Sequence, residues 1–213
     1  MLKIYFLTGI RKLLKDRFYS VINISGLAIG LAGCLLIIFY IQDELSYDKF
    51  HEKSSQIYRI CALGSIGNTP INQVYTCAPL PQTLIADYPE VLQAVRISGK
   101  RDVVLNYGDK TFYENEILAV DSTFFDVFSF PLLEGDPSQV LREPNTVVIT
   151  ESTARKYFGE ENAIGKMFNL IEEEEENAVR VVGVVEDGPH NAHFHFDFLL
   201  ALTTFEFSRE ENW

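Results

Sequence analysis

Basic residues are scarce in this sequence, and acidic residues dominate it. The 18 lysines and arginines are outnumbered by 30 aspartates and glutamates, which gives a net charge of −12 at pH 7. Because nucleic-acid binders need a basic face, this balance argues against a nucleic-acid partner.

Motifs for catalysis and nucleotide binding are also absent. The sequence has no glycine-rich phosphate loop with its lysine, no serine nucleophile elbow, no Cys–His pair in a supporting context and no recognisable frame of paired carboxylates. We therefore expect no enzymatic activity and no cofactor. With 47% apolar residues, the chain still has enough hydrophobic side chains for a folded core.

One long stretch lacks charge altogether. Residues 21–41, VINISGLAIGLAGCLLIIFYI, would extend roughly 31 Å as a helix, which matches a bilayer hydrocarbon core of roughly 30 Å. Residues 1–20 carry five basic side chains and one acidic one, whereas the sequence after Ile41 has a net charge of −16. The positive-inside rule therefore predicts a cytoplasmic N-terminus and an extracytoplasmic C-terminal part.

This pattern predicts three regions. Residues 1–18 form a basic amphipathic helix on the inner leaflet, residues 19–42 a transmembrane helix, and residues 43–213 an extracytoplasmic domain of α+β class. No small-residue cleavage site follows the span, which argues against a cleaved signal peptide. Cys34 lies in a lipoprotein-like LAGC box, but the apolar run continues after it, so a buried thiol is favoured over lipidation.

The predicted transmembrane helix has a face of small residues. Gly26 and Gly30 form a GxxxG motif, and Gly33 follows about one turn later. Such a face lets a second transmembrane helix approach closely. We therefore predict that these three glycines pack against other transmembrane helices.

Two cysteines lie in a predicted hairpin. Residues 57–63 and 71–78 are predicted strands, and the Gly/Asn/Pro-rich residues 64–70 are the turn between them. Cys61 and Cys77 would then lie in paired strands, where a disulfide would contribute about 2–4 kcal/mol. Two buried free thiols are the alternative, and the sequence does not separate the two.

Residues 146–159 form the clearest local unit. Thr146–Ile149 predicts a β-branched strand, Thr150 a helix N-cap, and Gly159 the end of that helix. Four aromatic residues just before this unit predict core packing rather than a cofactor site. They are Phe124, Phe125, Phe128 and Phe130.

Two polar segments raise the question of metal binding. The acidic run Glu172–Asn177 lacks the alternating ligands and glycine of a calcium loop, so a solvated hairpin tip is favoured. In PHNAHFHFDF, residues 189–198, His193, His195 and Asp197 alternate with phenylalanines and could supply three zinc ligands. A half-buried strand after a turn at Gly188–Pro189, with the phenylalanines buried, is favoured, and we predict no metal ligands.

Several motifs, in order along the whole chain, resemble one family. They are SVINISGLAIGLAGCLLIIFYIQDELSYDKFH, YPEVLQAVRI, DSTFFDVFSFPLLEGDP, VVITESTARKYFG, AIGK and VVGVVEDGPHNAHFHFDFLL. Together they resemble the first transmembrane helix and extracytoplasmic core domain of MacB/FtsX-like ABC transporter permeases, in the Bacteroidetes-type subgroup.

The resemblance implies a permease that works with a separate cytoplasmic ATPase in a bacterial inner membrane. It also implies further permease helices, a second permease copy and, in some members, a periplasmic adaptor. Such systems export substrates or transmit motion to an extracytoplasmic domain. Because the sequence stops at Trp213 before a second span, we expect the domain to be incomplete at its C-terminus. The alternative is a stand-alone, membrane-anchored extracytoplasmic binding or sensor domain.

Overall fold

The computed structural model describes residues 2–172, 175–205 and 208. The chain forms two compact units, residues 1–47 and 48–213. Two predicted features fall outside the described residues: the centre of the acidic tip, residues 173–174, and the chain end at Trp213.

The first unit consists of two helices, α1 (Leu2–Lys15) and α2 (Arg17–Glu44). The predicted apolar span lies inside α2, whose apolar side chains surround the whole helix, and no residue of α2 is buried. A helix that is hydrophobic all round requires an apolar surrounding. Within the described part of the chain, α2 is the one helix long and apolar enough to cross a membrane by length and composition.

The second unit mixes strands with short helices. Its strands are β1 (Ala62–Ile66), β2 (Thr69–Gln73), β3 (Ile97–Tyr107), β4 (Lys110–Val120), β5 (Leu132–Glu134), β6 (Thr146–Thr150), β7 (Met167–Glu172), β8 (Glu175–Val185) and β9 (Phe198–Ala201). Its α-helices are α3 (Leu80–Asp87), α4 (Phe124–Val127) and α5 (Glu151–Phe158). Single 3₁₀ turns lie at Ser54–Gln56 and Leu202–Thr204.

Seven of these strands form one sheet whose pairings close on themselves. The strand order is β5-β8-β6-β9-β4-β3-β7, and β7 also pairs with β8, so six strands form a ring that β5 extends. The β4–β9 and β6–β8 pairs are parallel, and the other pairs are antiparallel. β1 and β2 form a separate two-stranded sheet.

The two faces of the sheet bury two different cores. Along β9, Phe198 and Leu200 belong to the first core, whereas Leu199 and Ala201 belong to the second. This division follows from the alternation of side chains along a strand. The first core takes residues from all six ring strands and from α5, and the second takes Phe124 of α4 and the chain segment around residues 130–141.

The strand–helix unit at residues 146–159 has the predicted form. β6 is completely buried, the N–H of Thr153 donates to Thr150 Oγ1 at 3.4 Å, and Gly159 ends α5 with φ +66°. A positive φ is readily accessible to glycine, which explains why the helix stops there. The predicted strand, N-cap and C-terminus are therefore confirmed.

Replacement of Thr150 by alanine is expected to destabilise the second unit by about 1 kcal/mol, because the first turn of α5 loses its side-chain acceptor. Urea unfolding of the full chain in detergent, followed by pulse proteolysis, measures this loss. Thr150→Ser keeps the hydroxyl and should stay within a few tenths of a kcal/mol of the natural protein. Equal midpoints for the alanine and serine variants would contradict the capping role.

The first hairpin differs from its prediction. β1 and β2 meet at a two-residue turn, Gly67–Asn68, with φ +61° at Gly67, so much of the predicted seven-residue turn is strand. A Gly-Asn pair is itself a signal for a two-residue hairpin turn. With the turn at this pair, both strands lie closer to it than predicted. Cys61 consequently precedes β1 and Cys77 lies beyond β2, so the predicted placement of both cysteines within paired strands is wrong.

Candidate functional site

Residues 48–53, which we call the exit anchor, are held to the second unit by several long-range hydrogen bonds. The exit anchor begins four residues after the end of α2 in sequence. Asp48 adopts a left-handed conformation, φ +57°, which aspartate tolerates better than most residues. Its N–H donates to the carbonyl of Asn191 at 3.0 Å, and its Oδ1 accepts from the N–H of His193 at 2.8 Å.

The centre of the exit anchor is aromatic. His51 is 3% exposed, and its ring centroid lies 3.9 Å from that of Phe50, 5.2 Å from Phe128 and 5.4 Å from Phe130. His51 Nδ1 accepts from the N–H of Ser129 at 3.1 Å. A buried imidazole is thus both packed and hydrogen-bonded, as a buried polar group must be.

The end of the exit anchor is held by two further hydrogen bonds. The N–H of Glu52 donates to Ser129 Oγ at 3.0 Å, and Lys53 Nζ donates to the carbonyl of Asp126 at 2.8 Å. These bonds join residues more than 70 positions apart in the sequence. The anchor is therefore fixed to the end of α4 and to the loop before β9 at once.

An aromatic cluster lies beneath the exit anchor. Ring contacts between 5.0 and 6.4 Å connect its members. The cluster consists of Phe124, Phe128, Phe130, Phe194 and Phe196, and Phe50 of the exit anchor contacts it through the ring of Phe130 at 5.4 Å. Phe124 and Phe130 are buried, and Phe125 and Phe128 pack against the same core, so the prediction of core packing for these four residues is confirmed.

The stretch PHNAHFHFDF supplies part of this cluster, but not as a strand. Residues 189–197 are irregular, and β9 begins only at Phe198. Their backbone groups form hydrogen bonds outside a strand ladder. The carbonyl of Asn191 and the N–H of His193 bind Asp48, and the N–H of Asp197 donates to the carbonyl of Glu116 at 2.7 Å. The strand prediction for residues 189–197 is therefore wrong, although the phenylalanines are buried or half-buried as expected.

The metal hypothesis places His193, His195 and Asp197 on one face. The structure leaves both histidines exposed and Asp197 half-buried. Burial raises the pKa of Asp197 and the Glu114 carboxylate raises it further, whereas Lys156 lowers it. Among the residues that the structure describes, no three His, Cys, Asp or Glu side chains are placed to hold a metal ion.

Glu114 belongs to a polar cluster in contact with the first core. It is 5% exposed, and its Oε1 accepts from the hydroxyl of Tyr157 at 2.6 Å and from Lys156 Nζ at 2.5 Å. Burial, together with this hydrogen bond, raises the pKa of Tyr157. The hydroxyl therefore stays protonated and donates its hydrogen bond to Glu114.

An ion pair between Arg96 and Asp121, which we call the Arg96 clamp, joins distant loops of the second unit. The guanidinium of Arg96 binds both carboxylate oxygens of Asp121, with the shortest contact at 2.8 Å, and the N–H of Arg96 donates to Asp121 Oδ2 at 2.9 Å. Arg96 also donates to the carbonyls of Ala78, before α3, and Ser208. The side chain of Arg96 thus connects its own chain segment to three others, at Ala78, Asp121 and Ser208.

The predicted helix-packing residues all lie in α2. At Gly26, Gly30 and Gly33, an added Cβ would have no described atom within 4 Å beyond the helix backbone and the adjacent residues. The small-residue face is therefore exposed within the structure. Its packing against other transmembrane helices stays a prediction.

The three cysteines are free thiols in the structure; Cys34 and Cys61 are exposed, and Cys77 is half-buried. The Cys61–Cys77 disulfide stays a prediction for the protein in an oxidising compartment. Alkylation under denaturing conditions, with and without reduction, followed by mass spectrometry, decides it. A disulfide predicts that two additional thiols become alkylated after reduction, and identical masses would exclude it.

The exit anchor was not predicted as a site from the sequence. Its residues appear there only as part of a longer resembling motif that ends in SYDKFH. The available signal was local: Phe50 and His51 are two aromatic residues flanked by the charged residues Asp48, Lys49, Glu52 and Lys53.

The comparisons with known proteins agree with this architecture. Residues 20–213 match the family model of the MacB-like periplasmic core domain. The chain belongs to this family. The MacB/FtsX-like resemblance and the α+β class are therefore confirmed, and the chain contains a MacB-like periplasmic core domain as found in ABC-type permeases.

Solved structures similar to this chain were also found. A domain assigned to a permease protein from Porphyromonas gingivalis is 26% identical, with a TM-score of 0.57 over 73% of this chain and 69% of that chain. The periplasmic region of MacB from Actinobacillus actinomycetemcomitans is 24% identical, with a TM-score of 0.45 over 58% of this chain and 54% of that one. The extracellular domain of the noncanonic ABC-type transporter YknZ from Gram-positive bacteria is 18% identical, with a TM-score of 0.40 over 51% and 54%. No curated protein gives a significant match.

Proposed function

We propose that this chain is part of the permease of an ABC-type export or mechanotransmission system, in which a separate cytoplasmic ATPase drives motion of the extracytoplasmic domain. The observation that carries this proposal is a MacB-like periplasmic core domain that directly follows a helix of membrane-spanning length. The chain supplies binding and mechanical coupling, and hydrolysis belongs to the ATPase partner.

The exit anchor gives this proposal a physical mechanism. Only Leu45, Ser46 and Tyr47 separate α2 from the exit anchor. A displacement of the transmembrane helix would therefore reach the domain through a very short connection. The anchor's hydrogen bonds to Ser129, Asp126 and the loop before β9 would spread that displacement over the aromatic cluster.

The proposed location is a bacterial inner membrane, with the N-terminus in the cytoplasm and the core domain in the periplasm. The basic side chains of α1 favour the anionic cytoplasmic leaflet. Partners are membrane lipid, further permease helices along the glycine face of α2, a second permease copy and, outside, an adaptor protein.

Co-purification tests the proposed function. The permease is co-expressed with a candidate ABC-type ATPase from the same genome and purified in detergent through a tag on the permease. We expect a stable complex that hydrolyses ATP. An ATPase with its P-loop lysine replaced serves as the control, because it should assemble but not hydrolyse ATP. A permease that never binds the ATPase would contradict the proposal and favour a stand-alone sensor domain.

A further inference from the structure

The hydrogen bond at His51 fixes the protonation state of its ring. A backbone N–H can only donate, so Nδ1, which accepts from Ser129, carries no proton. The docked exit anchor therefore contains a neutral imidazole with its proton on Nε2. An imidazolium would lose this hydrogen bond and leave the Ser129 N–H without its acceptor.

The surroundings of His51 also disfavour a positive charge. Rings of Phe50, Phe128 and Phe130 surround it, and burial lowers its pKa. The Asp48 carboxylate raises the pKa by a smaller amount.

The other charged groups of this region are engaged or turned to solvent. Lys53 donates to the Asp126 carbonyl from the anchor's end, and residues Lys49, Glu52 and Asp126 are exposed. His193, in the loop before β9, is exposed and contacts Asp48 through its backbone.

We propose that the exit anchor is a pH-sensitive latch, which protonation of His51 releases from the aromatic cluster. Release breaks the hydrogen bond between Ser129 N–H and Nδ1 and lets the imidazolium reach water. The release is a property of the second unit alone. Its effect on coupling in a permease rests on the proposed function.

The sign of the pH dependence follows from linkage. A released His51 binds a proton at about its ordinary pKa of 6.5, whereas a docked His51 binds one only at lower pH. Docking is therefore undiminished above that pH and weakens as the pH falls toward the lowered pKa. Between the two pKa values, the ratio of released to docked anchor increases about tenfold for each unit by which the pH falls.

Hydrogen–deuterium exchange of the full chain in detergent tests the latch. Two sets of peptides, one containing Ser129 and the other containing residues 50–52, are followed from pH 7.5 to pH 5. Their exchange rates are corrected for the pH dependence of intrinsic exchange. We expect protection at Ser129 to fall as the pH drops below 6.5, by up to about tenfold per pH unit, until the lowered pKa of docked His51 is reached. Peptides from β6 and β9 should keep their protection over the same range.

Two variants sharpen the test. In His51→Gln, the amide oxygen can accept from Ser129 but does not titrate, so we expect a flat pH profile. His195→Gln removes an exposed histidine from the neighbouring loop and should keep the natural profile.

Three results would overturn the latch. They are a flat profile in the natural protein, an unchanged slope in His51→Gln, and a parallel loss of protection in β6 and β9, which would indicate global unfolding. Should His51→Gln fail to fold, NMR titration of the natural protein replaces it. His51 must then titrate below the ordinary histidine pKa of about 6.5, and titration at or above that value would end the proposal. None of these results depends on an ATPase, so failure here leaves the proposed function standing.

Discussion

Phe124→Ala is expected to lower the free energy of unfolding of the second unit by about 3–5 kcal/mol. Phe124 is completely buried and has ring contacts with five other phenylalanines. Its removal leaves a cavity in the second core that the rigid sheet face cannot fill. Urea unfolding of the full chain in detergent, followed by pulse proteolysis, measures the loss.

The same substitution should also loosen the exit anchor. Phe124 supports Phe128 and Phe130, and these two rings contact His51. Faster hydrogen exchange at Ser129 is therefore expected even where the domain remains folded. Leu92→Ala, at an 84% exposed position, is the matched control and should change stability by less than about 0.5 kcal/mol. Similar effects of the two substitutions would contradict the assigned core.

Asp121→Asn is expected to destabilise the second unit by about 2–3 kcal/mol, because charge-assisted hydrogen bonds to a partly buried arginine are lost. Asparagine has nearly the same shape as aspartate. Its amide group, however, presents N–H donors to a guanidinium that has no acceptor. Residues near Ala78 and Ser208, which Arg96 also binds, should exchange faster.

Glu143→Gln provides the control for Asp121→Asn. Glu143 pairs with Arg180 at 2.8 Å, but its side chain is 71% exposed, against 18% for Asp121. Exposed ion pairs contribute little, so we expect a loss below about 1 kcal/mol. A loss at Glu143 equal to that at Asp121 would show that burial does not set the strength of the Arg96 clamp.

Local sequence patterns predicted the elements that depend on neighbouring residues. The apolar run of α2 and the unit from Thr146 to Gly159 were both recognisable, because an uninterrupted apolar stretch, a hydroxyl N-cap and a C-terminal glycine act within a few residues. The burial of Phe124 and Phe130 also followed from composition alone.

Long-range contacts explain why the strand prediction before β9 was wrong and why the exit anchor was not predicted. The alternation in PHNAHFHFDF has the period of a strand, but His193 gives its N–H to Asp48, which lies 145 residues earlier in the sequence. No local pattern contains that partner. The exit anchor was missed for the same reason, since His51 acquires its role only through Ser129 and the aromatic cluster.

Mechanical coupling through the exit anchor is tested most directly in the complete permease–ATPase complex. In the proposed complex with two permease copies, a spin label at Leu92→Cys in each copy, with the three cysteines of this chain replaced by serine, reports the distance between the two core domains. We predict that the distance distribution changes when ATP is bound. Insertion of Gly-Ser-Gly-Ser between Tyr47 and Asp48 should abolish this change while ATP hydrolysis persists. An unchanged distance on ATP binding, or a change that survives the insertion, would contradict the account.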